Sequence, residues 1–163
     1  MPGATRDPGP GPGVRSAGLL RCDGAVTETP YTLVPIGWVE SPLTEPAAAP
    51  PQGDEGAGEA WLVIDPAWAD GLRDLRAGTD AIVLTWLHLA RRDVLAVHPR
   101  GDPDRPVRGV FSTRSPDRPN PIGLHPVRIL AVAGTRIRVR DCEAVHGTPV
   151  LDIKPVLGPP GRR

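Results

Sequence analysis

Residues Arg108 to Leu124 read RGVFSTRSPDRPNPIGL, and this stretch constrains the fold more than any other. Pro116, Pro119 and Pro121 fall every two or three residues. Each proline fixes its own φ and pushes the preceding residue out of the helical region. Arg114, Asp117, Arg118 and Asn120 alternate with the prolines, and apolar β-type residues flank the stretch on both sides, so it does not read as a linker. The expectation is a stiff, irregular loop that holds polar side chains in set directions. A core rarely needs that arrangement, whereas a binding site on a rigid scaffold often does.

The flanking sequence predicts the scaffold. Thr32–Val39 carries β-branched and aromatic residues and reads as a strand. Ser41 to Gly58, rich in Pro, Ala and Gly, reads as a long loop, a length usually tied to function or mobility. Glu59–Ile64 is a second strand. Asp65-Pro66 has the form of an N-cap followed by a proline at the first helical position, and Trp68, Leu72 and Leu75 make an i, i+4, i+7 stripe. A short helix ending near Gly78 is expected there. Ala81–Leu89 is almost continuously apolar and reads as a central strand. Val94–His98 is a short strand before the charged turn Arg100–Arg105, and Val107–Ser112 feeds the proline loop. Pro126–Ala133 and Arg136–Asp141 flank Gly134-Thr135 as a hairpin, and Val150–Lys154 closes the series.

Six or more strands and one short helix predict a mainly β fold, a small antiparallel barrel or sheet. No βαβ alternation and no Gly-rich strand-to-helix turn occurs, which argues against a Rossmann-type site. At 163 residues the chain suits one domain, over residues 31–158, with a Gly/Pro-rich N-terminal tail at 1–30, expected to be disordered, and a short tail at 159–163.

No apolar run approaches the ~18–20 residues that cross a bilayer, and the N-terminus does not resemble a signal peptide, so the expected location is the cytoplasm. Cys22 and Cys142 read as two isolated thiols of a reducing compartment. The histidines at 88, 98, 125 and 146 lack metal-ligand spacing, and no metal is expected. The zero net charge hides an asymmetry: nine acids against two arginines between Glu40 and Asp80, and nine arginines against three aspartates between Arg100 and Arg140. Two readings stay open at this point. The dipole steers a phosphate-bearing partner, or the two halves pair with each other.

The string GVFSTRSPDRPNPIGL at Gly109–Leu124 closely resembles the TsaA-like (TrmO) family of S-adenosylmethionine-dependent tRNA methyltransferases. GTPVLDIKP at Gly147–Pro155, VPIGWVESP at Val34–Pro42 and LTWLHLARRDVLAVHPRGD at Leu84–Asp102 agree, so the resemblance covers roughly Leu33 to Leu157. It implies a non-Rossmann, barrel-like methyltransferase with S-adenosyl-L-methionine as cofactor. It also implies a homodimer with cofactor sites near the subunit interface, and a tRNA partner methylated on N6 of threonylcarbamoyladenosine beside the anticodon.

Position by position, the resemblance assigns cofactor contacts to Arg114, Leu124, His88, Leu89, His146, Gly147, Thr148 and Pro149, and to the loop residues Pro50, Pro51 and Gln52. Three positions depart from the family pattern. His146 stands where an Asp is usual, Leu89 replaces a common Gln, and Pro51 stands where the family has Arg in Pro-Arg-Gln. A methyl donor with a zwitterionic tail needs a cation for its carboxylate, which Arg114 offers in bidentate geometry. Backbone groups at Gly147-Thr148 are placed to read an adenine edge. Asp152 is the candidate general base, with His125 and His88 behind it, or else the partner of Lys154. Arg118 and Asn120 are candidate substrate contacts, Arg118 either holding tRNA phosphate or pairing with Asp117. The Arg136, Arg138, Arg140 face is either a phosphate-contacting stripe or a solvated strand face. Two other functions remain open alongside tRNA methylation: methyl transfer to a small molecule, and cofactor binding without catalysis.

Overall fold

A computed structural model describes residues 32–157. The tail expected over 1–30, Cys22 and the last six residues lie outside the described region. Six strands close into an antiparallel barrel in the order β1-β2-β7-β6-β3-β8, with β8 returning to β1. Their spans are β1 Gly37–Glu40, β2 Glu59–Ile64, β3 Asp80–Trp86, β6 Ile122–Ala133, β7 Arg136–Arg140 and β8 Pro149–Pro155. A small ribbon of β4 (Ala96–Val97) and β5 (Arg108–Gly109) stands outside that order. The expected small antiparallel barrel of non-Rossmann type is therefore the fold.

Alternation builds the barrel. β2 buries Ala60, Leu62 and Ile64, and β7 buries Ile137 and Val139 between outward arginines. β3 follows the same rule, burying Ala81, Val83 and Thr85, so its apolar run is a half-buried strand with partners on both edges, β6 and β8. β6 starts four residues earlier than expected. It takes in the Ile-Gly-Leu end of the proline stretch and pairs Ile122 with Trp86.

The short helix expected after Asp65 is a 3-10 helix over Pro66–Leu72, capped by Asp65, whose carboxylate accepts from the Ala67 N–H at 2.8 Å. Its 3.0-residue turn breaks the i, i+4 stripe: Leu72 is buried while Trp68 is exposed.

Charge pairs join the acidic and basic halves within the fold. Arg136 bonds Glu40, Arg100 holds Glu55 through two hydrogen bonds at 2.7 and 2.9 Å, and Arg128 meets Asp80 at 2.9 Å. Arg138 lies 3.8 Å from Glu59, and Arg136 and Arg138 also stack near Trp61. The Arg136 contact holds the Glu40 carboxyl below its ordinary range. Two of the three β7 arginines are thus occupied, by Glu40 of β1 and Glu59 of the adjacent β2, while Arg140 sits 3.4 Å from its neighbour Asp141.

Candidate functional site

A cavity of about 590 Å³ lies at the barrel end where β3 stops and β6 and β8 begin. That size falls within the range of small-molecule sites. At this end the β3–β8 register slips between Leu84 and Thr85, a bulge of the kind that re-aims strand ends around sites. Five chain segments wall the cavity: the long loop at Pro46–Gln52, the turn at Leu87–Ala90, the proline loop at Phe111–Arg118, the start of β6, and Glu143–Val145 with Thr148.

The proline loop is rigid because its own polar groups are spent on holding it. Thr113 Oγ1 donates to Val110 O at 2.9 Å and accepts from the Ser115 N–H at 3.2 Å. Arg118 donates to the carbonyls of Ser115, Thr113 and Val110 at 2.8, 2.7 and 3.2 Å. Asp117 accepts from the backbone N–H and the Nε of Arg91, and the Arg118 N–H reaches Arg91 O at 3.0 Å, which ties the loop to the β3 turn. The guanidinium of Arg118 therefore staples the loop rather than pairing with Asp117. Arg114, at the same loop's crest, is exposed and makes no hydrogen bond or ion pair among the described residues.

Of the expected cofactor positions, Arg114, Leu124, His88, Leu89, Thr148, Pro50, Pro51 and Gln52 line this one cavity. Five separate segments supply them, so the barrel closure and not sequence proximity brings them together. His146 does not line it; that residue borders a shallower depression with Glu40, Ser41, Glu59 and Trp61. Gly147 and Pro149 are also absent from the wall.

The backbone donors expected to read an adenine edge are already used. The Gly147 N–H donates to Val39 O at 2.8 Å and the Thr148 N–H to Val145 O at 3.2 Å, holding this turn against β1. Asp152 and Asn120 stand outside the cavity wall as well. Asp152 pairs with Lys154 at 2.6 Å and accepts from the Ile153 N–H, which is the structural alternative weighed for it.

Two wall residues carry little signal in the sequence. Phe111, 79% exposed, forms an apolar rim with Leu89, Ile122 and Leu124. Glu143 sits between buried Cys142 and Ala144, so it faces away from the core and into the cavity wall. Its Oε1 lies 2.9 Å from Nδ1 of His125, and the His125 Nε2 lies 2.8 Å from Thr85 Oγ1. Burial in apolar surroundings pushes the adjacent Cys142 thiol up to about 11. Among the described residues, no three His, Cys, Asp or Glu side chains group as metal ligands, and no helix is long and apolar enough to cross a membrane.

The sequence model of the tRNA-methyltransferase O N-terminal domain matches residues 38–158. A probable S-adenosyl-L-methionine-binding protein of Methanothermobacter thermautotrophicus is 47% identical over 121 residues, covering 74% of this chain and 86% of that one. An S-adenosyl-L-methionine-binding protein of Archaeoglobus fulgidus is 46% identical over 122 residues, covering 75% and 86%. The crystal structure of TrmO from Pseudomonas aeruginosa superposes with a TM-score of 0.65 at 29% identity, over 82% of this chain. The match spans 57% of that solved chain.

Proposed function

The chain belongs to the tRNA-methyltransferase O N-terminal domain family, and from that premise we propose that it is an S-adenosylmethionine-dependent methyltransferase acting on N6 of threonylcarbamoyladenosine beside the tRNA anticodon. The observation that carries the reading is the single cavity that collects Arg114, Leu124, His88, Leu89, Thr148 and the Pro50–Gln52 loop from separate segments. The relatives named as S-adenosyl-L-methionine-binding proteins support the cofactor.

The residues present fit that cofactor. Leu84, Leu87, Leu124 and Phe111 give the apolar surface that a nucleoside packs on, and Arg114 is an unpaired cation on a stiff loop. In addition, a buried carboxylate oxygen of Glu143 lacks a hydrogen-bond partner in the wall, as if a donor were to be supplied. When bound, the cofactor supplies a methyl group on a sulfonium, the electrophile of an in-line displacement. The chain's part is chiefly to hold donor and acceptor nitrogen in line and near contact. Arg118 fixes the loop, the loop aims Arg114, and the apolar rim keeps water from the reacting atoms. A proton must leave the acceptor's amide-like nitrogen, and of the histidines considered for that role His88 is the exposed one in the wall.

A homodimer is part of the proposal, because Phe111, Leu89, Ile122 and Leu124 expose apolar surface at the cavity mouth. Sedimentation equilibrium of the purified chain is expected to give a dimer that Phe111→Ser weakens; a monomer at micromolar concentration contradicts it. The acceptor is tested by nucleoside mass spectrometry of tRNA from deletion and complemented cells. The methylated nucleoside is expected to vanish on deletion and return on complementation. Its persistence in the deletion strain rules the tRNA assignment out.

A further inference from the structure

One carboxylate oxygen in the cavity wall is buried with nothing to bond. The Glu143 side chain is 16% exposed, and its Oε2 is buried without a hydrogen-bond partner among the described residues. Oε1 approaches His125 Nδ1 at 2.9 Å, but the ring N–H is not aimed along that line, so Nδ1 also lacks a true hydrogen bond. Leaving such an oxygen unsatisfied is costly, and more so for an ion than for a neutral group. No other described residue relieves it.

Its neighbours hold it in that state. On its far side the His125 ring is held by Thr85, whose fully buried hydroxyl lies 2.8 Å from Nε2. The misaligned Nδ1 gives the Glu143 carboxylate no hydrogen bond, and no other described residue gives its Oε2 one. Gly53 closes over the carboxylate: a Cβ there would lie 3.1 Å from Oε2 and 2.0 Å from Asp141 O. Gly53 follows directly on the Pro50–Gln52 segment, so the carboxylate lies beneath the same loop that borders the cavity.

The remaining charges in the wall are accounted for. Asp117 is paired with Arg91, and Arg118 is tied to loop carbonyls. Among the described residues, the wall therefore offers a ligand Arg114 as a cation without an ion pair and Glu143 as a carboxylate without a hydrogen bond. We propose that Glu143 recognises the α-ammonium of an amino-acid-bearing methyl donor, opposite Arg114 on its carboxylate, with Thr85 and His125 as positioning residues. This rests on the cofactor reading above. A full positive charge is the donor that a buried carboxylate gains most from.

Calorimetric titration tests it without turnover. The ligands are S-adenosylhomocysteine and its analogue lacking the α-amino group, against wild type, Glu143→Gln and Thr85→Val, with thermal melts to check folding. Wild type is expected to bind the aminated ligand roughly 10–100-fold more tightly than the deaminated one. Glu143→Gln should lose that preference. Thr85→Val should reduce the preference several-fold. Equal wild-type affinity for the two ligands overturns the assignment of Glu143 and leaves the cofactor reading intact, whatever the variants do. A preference unchanged in Glu143→Gln overturns it equally. If wild type binds neither ligand, the cofactor reading itself fails and the Glu143 assignment falls with it.

Discussion

Thr85 Oγ1 and His125 Nε2 meet at 2.8 Å inside the barrel, and Gly123, directly opposite Thr85 in the β3–β6 ladder, is the residue that leaves them room. A Cβ at position 123 would come within 2.4 Å of Thr85 Oγ1 and 2.5 Å of His125 Nε2. Both neighbours are buried side chains with little freedom to retreat. Gly123→Ala is therefore expected to destabilise the fold by about 1–3 kcal/mol through overpacking, measured as a lower urea midpoint. A midpoint equal to wild type shows that the pair can move aside.

Arg118 makes its bonds to carbonyls within its own loop. Arg118→Ala should remove the side-chain donor from the Ser115 and Thr113 carbonyls, Val110 O keeping its bonds from Thr113, and cost about 1–3 kcal/mol. Hydrogen exchange should rise selectively over residues 110–118. Uniform exchange across loop and barrel would mean that the staple is redundant with the prolines.

Arg114 differs from Arg118 although they sit four residues apart on one loop. It is exposed and makes no hydrogen bond or ion pair among the described residues, so Arg114→Ala should change stability by less than about 0.5 kcal/mol. The same variant should bind S-adenosylmethionine roughly 10–100-fold more weakly, since a charged hydrogen-bonding pair is lost. A stability loss with unchanged affinity would reverse the roles of the two arginines.

Cys142 ties stability to alkaline pH. Burial raises its folded-state pKa to about 11 from an ordinary 9.0. The folded chain thus holds this proton more tightly than the unfolded chain, and stability falls as pH rises wherever that difference operates. The contribution is fully present below pH 9 and is lost as pH climbs through 9 to 11, amounting to roughly 2–3 kcal/mol. Cys142→Ala should flatten that part of a urea-midpoint profile. A wild-type profile already flat from pH 8 to 11 would contradict the assigned cause.

Local pattern made the barrel legible. Strict alternation in EAWLVI and RIRVR placed β2 and β7 almost to the residue, since each strand needs only one buried face. The stretch after Asp65 carried a correct cap, yet its helical period gave way to a 3-10 turn with Trp68 left outside, because tertiary packing and not propensity decides so short an element. The proline loop was readable as a stiff scaffold, but the division of labour between Arg114 and Arg118 was not. It depends on which carbonyls the folded loop turns inward. Glu143 was the least visible: DCEAVH reads as an ordinary loop, and only closure of the barrel sets that carboxylate beside His125, eighteen residues earlier in the chain.

Methyl-labelled S-adenosylmethionine, the purified chain and tRNA bearing threonylcarbamoyladenosine decide whether the chain methylates that nucleoside. Label is expected in its N6-methylated form after digestion, with little label when Arg114→Ala replaces wild type. Wild type that binds the methyl donor but places no label in the tRNA would contradict the proposed function.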